Sequence, residues 1–528
     1  MSRWYLLFLA ALGLAVYLLV AVFQHTPGYM DAEYYYAGGL RLAGGDGFTE
    51  PFIWNYLDNP PGLPHPSHTY WMPLASLVAY LGIRLSGSAE FSTARLGFIL
   101  AAACVPVLSV ILAYRFTPRR DAALLAGLLA VFSPFYLPYL PTSDTFGLIM
   151  LLGGLWLLTA QRPVYLRGGV SGDISPLLLG LLSGLMHLAR ADGVIWLGAA
   201  LLAAVWLPVS APGRSTQRFS RVLATLLGYL LVMSPWLLRN QGLFGSLLAP
   251  GGGKALWFVE YDDLYAFPGA LITPARWWAS GIGQILRARA WGLGQNLQTL
   301  LAVQLSIFLL PLVIAGLWFL RRERSVRLGV FIWLSILSVM TLLFPYAGAR
   351  GGFFHSGAGV QPLFWACVPA GLDGFLAWGS RKRGWQIDQA RRVFQGGLIV
   401  LALALSLMVV SSRVVGGNWR QPAWDSSSVS YTALAENLAK SGVDQNEIIM
   451  VNNPPGYFLA SGQMAISIPN GGLEALLAAA RQYGVGYVLL EANHPAGLAS
   501  LYEHPGDQPG LRYMTSFNGA HLFEVHLD

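Results

Sequence analysis

The sequence predicts a polytopic α-helical membrane protein with about eleven spanning helices and a small C-terminal α/β domain outside the membrane. Three observations predict it. Of 528 residues, 55% are hydrophobic and only 11% charged, against roughly 25% charged in an ordinary soluble domain. Mean hydropathy is +0.51. Apolar runs recur along the chain at about 20 residues, the length that crosses a bilayer. A disordered chain is excluded, because it needs low hydrophobicity and high charge. A soluble multidomain enzyme is excluded too, because water could not solvate this surface.

The first span runs from Trp4 to Phe23. One basic residue, Arg3, precedes it and no small-residue cleavage site follows, so it reads as a retained anchor. Later spans begin near Leu96, Ala122, Asp144, Pro176, Gly193, Val222, Leu300, Leu328, Val360 and Val393. The stretch from Pro176 to Pro208 is interrupted by His187-Leu188-Ala189-Arg190-Ala191-Asp192-Gly193. Buried charges inside one long helix are costly, so two short helices meeting at a polar turn are expected.

Charge sidedness tests this scheme. With the N-terminus inside, the short inner segments carry Arg3; Arg115, Arg119 and Arg120; Arg162 and Arg167; and Arg214, Arg218 and Arg221. They continue with Arg321, Arg322, Arg324 and Arg327, then Arg381, Lys382, Arg383, Arg391 and Arg392, in all eighteen of the 33 Lys and Arg. Cytoplasmic loops collect basic residues, so the bias supports N-inside, and an odd number of spans places the C-terminus outside. The net charge of +7 follows from this bias and calls for no nucleic-acid partner. Of 26 acids, only Asp121, Asp173, Glu323, Asp373 and Asp388 fall on the inner side. Carboxylate chemistry is therefore expected outside. Cys104 and Cys367 lie far apart inside apolar runs, which argues against a disulfide or a zinc site.

The chain divides into residues 1–415, with large outer loops at 24–90 and 241–298, and a unit at 416–528. In that unit Tyr431–Lys440 and Leu473–Tyr483 read as helices. Glu447–Val451, Tyr487–Leu490 and His521–Val525 read as strands, an α/β order. The chain is 13% aromatic, and pairs such as Trp4-Tyr5, Tyr70-Trp71 and Trp277-Trp278 read mainly as interfacial belts.

Several outer residues could carry chemistry. Asp31 and Glu33 lie a few residues after the first span. A carboxylate there could act as a general base, ligate a divalent cation, or simply cap a helix. His65 and His68 could be metal ligands, but without a third His or a Cys nearby ordinary hydrogen bonds are the better reading. Asp144, in Pro141-Thr142-Ser143-Asp144, caps the helix it opens or meets a partner such as Asp31. In the polar turn His187, Arg190 and Asp192 are functional suspects by depth. Arg190 could grip a phosphate or pair with Asp192. Arg350 and His355 stand in a glycine-rich turn, 346–356, that could admit an anion or be merely mobile. It lacks Walker spacing and a lysine, so no nucleotide site is expected. The 241–298 loop could cover a site.

The order of Asp31-Ala32-Glu33-Tyr34-Tyr35, Pro141-Thr142-Ser143-Asp144, Leu188-Ala189-Arg190-Ala191-Asp192-Gly193 and Phe353-Phe354-His355-Ser356, on one side of the bilayer, resembles the integral-membrane glycosyltransferases of the GT-C fold. Within them it is similar to the branch of protein O-mannosyltransferases and aminoarabinose transferases, including bacterial dolichyl-phosphate-mannose–protein mannosyltransferase-like proteins. The resemblance spans roughly Trp4 to Arg413. It implies inverting transfer of a sugar from a polyprenyl-phosphate donor to a protein, lipid or glycan hydroxyl, on the outer face of a bacterial inner membrane. By position Asp31 matches the acidic residue that acts as base, although the motif here is Asp-Ala-Glu, not adjacent acids. Arg190, Arg350 and His355 are the candidates for the donor phosphate. Glu33, Asp144, His187, Asp192, His65 and His68 complete the candidate substrate-binding set. No cofactor is required by this reading. A divalent cation, if one binds, would take Asp31 and Asp144. The rival readings are a transporter or lipid flippase, for which inverted repeats are expected, and a non-catalytic envelope scaffold.

Overall fold

The computed structural model describes residues 3–161, 173–206, 214–517 and 519–526. Arg162 and Arg167 of the basic count lie outside these residues. Helices stand at all eleven stretches expected to span. Among the described residues five are long and apolar enough to cross a membrane: α1 (Arg3–Ala21), Phe91–Phe116, Thr216–Phe244, Arg324–Leu343 and Ile387–Val415. Phe146–Gln161, Ser175–Ala189, Ala191–Val205 and Leu310–Phe319 are apolar but shorter. The span expected from Leu300 is broken, because Ser306 and Ile307 adopt φ of 46° and 48°. An α-helix cannot continue through that backbone, and a new one starts at Leu310.

The break at 190–193 is present. Arg190 is extended (φ −153°, ψ 141°) and a single 3-10 turn, Ala191–Gly193, leads into the next helix. Gly193 is required there, since a Cβ would lie 2.2 Å from the Met186 carbonyl oxygen. The helices Ser175–Ala189 and Arg214–Phe244 also meet through glycine. A Cβ on Gly180 would sit 2.0 Å from the Thr225 carbonyl oxygen, and one on Gly228 2.3 Å from that of Leu177. Small residues let membrane helices touch backbone to backbone.

Ion pairs mark one end of the bundle. Arg119 binds Asp121 (3.1 Å) and Asp373 (3.0 Å), and Arg391 binds Asp373 (3.4 Å) and Asp388 (2.9 Å). Arg221 lies 3.8 Å from Asp173. These are residues that charge counting assigns to the inner side.

The two segments expected outside are more structured than loops. Residues 24–90 hold α2 (Met30–Gly44) and the helix Leu74–Ser86. Residues 241–298 hold the helix Gly281–Thr299, whose Ile282, Leu286 and Leu297 are exposed. Strands β1 (Thr49–Glu50), β2 (Phe52–Ile53) and β3 (His65–Pro66) lie in the first segment. Strands β4 (Ile448–Val451), β5 (Ala465–Ser467), β6 (Val485–Leu490), β7 (Leu511–Phe517) and β8 (Ala520–Val525) lie in the C-terminal unit. The six-stranded sheet runs β2-β5-β4-β6-β8-β7, parallel from β2 to β6 and antiparallel thereafter. The C-terminal sheet takes its edge strand, β2, from the first of these segments, across the expected boundary at 415/416.

Candidate functional site

The start of α2 is clamped by the chain that follows the last helix. Asp425 accepts hydrogen bonds from the backbone N–H of His25 and Thr26, the Thr26 hydroxyl and the His25 ring. Gly28 takes φ +85°, and a Cβ there would lie 2.2 Å from the Trp424 indole nitrogen. Only glycine combines that conformation with that approach. The clamp fixes the turn that delivers Asp31.

Asp31 opens a cavity of about 530 Å3. Around it stand Arg190 and Asp192 from the 190–193 break, and Arg350 and His355 from the turn before the helix Gln361–Arg383. Tyr35, Trp54, Tyr70 and Trp71 form an aromatic wall, with Trp54 and Trp71 stacked at 3.9 Å and 8°. Val194, Val339, Leu343 and Phe344 form an apolar wall. Tyr261 and Tyr265 close it from the 241–298 segment, whose turn is pinned by a two-pronged Arg276–Asp263 pair at 2.8 and 2.9 Å.

His355 links two carboxylates. Its Nε2 lies 3.0 Å from Asp144 Oδ2 and 3.7 Å from Asp31 Oδ2, and its ring stacks on Phe146. Its Nδ1 faces the Gly351 carbonyl oxygen at 2.9 Å. Both ring nitrogens thus face acceptors, so an imidazolium with two N–H donors satisfies the site. Asp144 is fully buried, receives the Tyr29 hydroxyl at 2.6 Å and accepts from the Thr145 backbone N–H. It therefore pairs with His355 and binds the N–H just before the helix Phe146–Gln161, but does not cap that helix. One ligand atom from each of Asp31, Asp144 and His355 lies within 4.8 Å of the others. Two carboxylates and an imidazole suit a divalent cation that accepts mixed oxygen and nitrogen ligands.

Burial pushes the Asp31 carboxyl up to about 6, and the Asp144 carboxylate adds to this against the opposing charges of His355 and Arg190. An acid in that range is poised to exchange a proton near neutrality. Arg190 donates to Asp192 at 3.1 Å and reaches the Gly352 carbonyl at 3.5 Å. Three of its five N–H groups have no partner among the described residues, so it both pairs with Asp192 and offers a free edge. Arg350 is committed elsewhere. It binds the carboxylate of Asp262 and the carbonyl of Tyr261, and lies 3.6 Å over the Tyr261 ring.

Four candidates lie away from the cavity. Glu33 is buried and accepts from the Asn453 side-chain amide at 2.6 Å. Burial pushes its carboxyl up to about 7, although Asn453 opposes the shift. His187 is buried against Tyr229, 2.6 Å from its hydroxyl, and joins two helices. His65 lies between Glu50 (3.1 Å) and Asp58 (3.9 Å) in the first outer segment. Its burial opposes protonation, but the two carboxylates outweigh that and raise its affinity for a proton. His68 is buried between the hydroxyls of Ser67 and Ser76. Each of these four is held by protein groups, and none of them lines the cavity. The aromatic wall includes Tyr70-Trp71, a pair that reads locally like any interfacial belt pair although some of the aromatics could line a groove. Its signal is position, because it stands inside an outer loop and not at the end of an apolar run.

No protein-family model and no curated protein sequence matches the chain. Solved structures do. The archaeal oligosaccharyltransferase AglB from Archaeoglobus fulgidus, in complex with an inhibitory peptide and a dolichol-phosphate, superposes with a TM-score of 0.55 at 14% identity, over 92% of this chain and 69% of that one. The same enzyme in complex with zinc and sulfate gives 0.53 at 14%, over 92% and 67%. ArnT from Cupriavidus metallidurans, bound to undecaprenyl phosphate, gives 0.51 at 13%, over 99% and 98%. The chain has the GT-C fold of polytopic membrane glycosyltransferases.

Proposed function

We propose that this protein moves a sugar from a polyprenyl-phosphate donor to an acceptor hydroxyl on the outer face of a bacterial inner membrane, with inversion at the anomeric carbon. One juxtaposition carries the reading. A carboxylate poised near neutrality, Asp31, shares a cavity with the free edge of Arg190, between an aromatic and an apolar wall. The similarity to folds solved with dolichol-phosphate and undecaprenyl phosphate supports it.

The lipid chain lies against the apolar wall, formed by Val339, Leu343 and Phe344. The sugar ring stacks on the Trp54–Trp71 face. Arg190 holds the phosphate through its planar fork and stabilises the charge that grows on it as the sugar–oxygen bond breaks. Asp31 takes the acceptor proton as the hydroxyl attacks from the opposite side. His355, itself held by Asp144, orients that carboxylate. Asp31, Asp144 and His355 are also the residues that would hold a divalent cation, which would supply further positive charge beside the leaving phosphate. The acceptor is a protein, lipid or glycan.

The test is purified protein with a panel of radiolabelled polyprenyl-phosphate sugars, beside Asp31→Asn. The Asn variant keeps size and capping ability but cannot take a proton. Its rate should fall about 10²-fold or more with melting unchanged. Near-parent turnover removes Asp31 from the mechanism. A donor that crosses the bilayer without losing its sugar overturns the transferase in favour of a flippase.

A further inference from the structure

A second concavity, of about 360 Å3, lies in the C-terminal unit, and the reaction above does not use it. It sits at the carboxyl ends of β4 and β6, which are parallel neighbours. The chain leaves β4 toward β5 on one side, and leaves β6 toward β7 and β8 on the other. Where connections diverge in this way, an open α/β sheet forms its ligand crevice.

The lining defines the ligand. Glu491, just after β6, is fixed by the Tyr431 hydroxyl (3.1 Å) and the Asn452 backbone N–H (3.3 Å), both donating to Oε2. The Asn452 amide donates to the Asn493 carbonyl. Four groups then have no protein partner among the described residues: Glu491 Oε1, Asn452 Oδ1, the Ser430 hydroxyl and the Asn493 side-chain amide. The first two only accept, and the last two both donate and accept. Among the described residues no Lys, Arg or His lines the crevice, so a phosphate or carboxylate would face Glu491 without compensation. An apolar ligand would leave four polar groups desolvated and unpaired. A ring bearing several hydroxyls matches them, because each hydroxyl both donates and accepts, and Phe517 offers an aromatic face for its C–H side. The volume is at the small end of the about 300–1,000 Å3 typical of ligand pockets, which suits a mono- or disaccharide.

We propose that this crevice is a binding site for an uncharged carbohydrate, separate from the transmembrane cavity. It does not depend on the transferase reading.

The experiment uses the full chain in nanodiscs assembled without glycoside detergents. Binding of methyl α-mannoside, N-acetylglucosamine and maltose is measured by saturation-transfer NMR and calorimetry. Inorganic phosphate and a neutral serine-containing peptide amide are the comparison ligands. At least one sugar should bind, and Asn493→Leu and Ser430→Leu should each weaken it about tenfold or more. Asp31→Asn should leave it unchanged. Asn493 is exposed, so its variant tests the site without disturbing the core, and its melting temperature should match the parent's. Failure of every sugar to bind overturns the proposal. So does a preference for phosphate or peptide, undiminished affinity in both crevice variants, or loss of binding with Asp31→Asn. None of these results bears on sugar transfer, which the donor assay reads separately.

Discussion

Glu33 and Asn453, 420 residues apart, are joined by a 2.6 Å hydrogen bond from the asparagine amide to the buried carboxylate. Glu33 is two residues after Asp31 on α2, and Asn453 caps the helix Pro454–Ser461 through its Oδ1. The C-terminal unit therefore grips the first turn of the helix that carries Asp31. Gly456 makes room for the contact: a Cβ there would lie 2.6 Å from the Asn453 amide nitrogen and 2.8 Å from Glu33 Oε2.

This contact separates positioning from chemistry. Glu33→Gln keeps an acceptor for Asn453, so transfer should stay within a few-fold of the parent. Asn453→Leu leaves the buried Glu33 carboxyl without its partner, costing about 1–3 kcal/mol, and should lower both melting temperature and turnover; Glu33→Leu, whose partner Asn453 is only half-buried, should do so less. Gly456→Ala should do the same by prising the pair apart. The checks are melting curves and single-turnover rates. A loss of about 10²-fold in Glu33→Gln with normal melting would make Glu33 the base in place of Asp31.

The three groups at the mouth of the bundle make a prediction about metal. Chelator-treated full-length protein should take up one Mn2+ or Zn2+ at Asp31, Asp144 and His355, whose ligand atoms lie within 4.8 Å. The His355 Nδ1 contact with the Gly351 carbonyl orients the ring with Nε2 toward the carboxylates, the arrangement that histidine ligands use. His355→Ala and Asp144→Asn should each abolish uptake, read by calorimetry or by the Mn2+ paramagnetic signal. Equal uptake by parent and both variants would mean that the ion binds elsewhere and that the cluster is only an ion pair.

How much of this was legible in the sequence varies by element. The tail helix Leu473–Tyr483 coincides with its expected bounds, because its apolar spacing and the glycines on either side of it are local signals. The break at Arg190 was legible because charge at membrane depth has few other outcomes. The helix Gly281–Thr299 was hidden by Gly281, Gly283, Gly292 and Gly294, which lower helix propensity, and by Arg287 and Arg289. Strand β2 has two residues, and its partner β5 is about 400 residues away, so no local pattern announces it. The convergence of Asp31, Arg190 and His355 was foreseeable as sidedness but not as contact. For His68 hydrogen bonding is the better reading, but its partners Ser67 and Ser76 and its burial are tertiary facts that no local pattern announces.

His68 gives a pH prediction. Burial and the nearby Arg239 cation push its ring down to about 3, so it stays neutral in the fold. In the unfolded chain it protonates near 6.5. Between those values the unfolded state binds more protons, so this contribution is fully present above about 6.5 and is lost as pH falls. At pH 5 the loss is about 2 kcal/mol. The melting temperature of the parent should therefore drop from pH 7.5 to pH 5 by more than that of His68→Gln. Parallel pH profiles would show that His68 is not a neutral, buried group.

Membrane sidedness is the last expectation that can be tested directly, and the final helix decides it. Ile387–Val415 has 29 residues and a hydropathy of 2.4, and at 1.5 Å per residue it exceeds the roughly 30 Å hydrocarbon core. Val393, Val400, Leu407 and Met408 are each more than half exposed, so this surface needs lipid around it. Before it stand Arg381, Lys382 and Arg383, and within its first turns Arg391 joins the Asp373–Arg119 cluster. Beyond its far end Asp425 clamps His25 and Thr26 beside Asp31. On this ground we propose that the two ends belong to opposite faces, with the basic end cytoplasmic. A phosphatase fusion, active only outside the cytoplasm, should be silent after Arg383 and active after Gly416, and a cytoplasmic reporter should show the reverse. The same side for both junctions would overturn the scheme and would place Asp31 and the cavity on the wrong face for a lipid-linked donor presented outside.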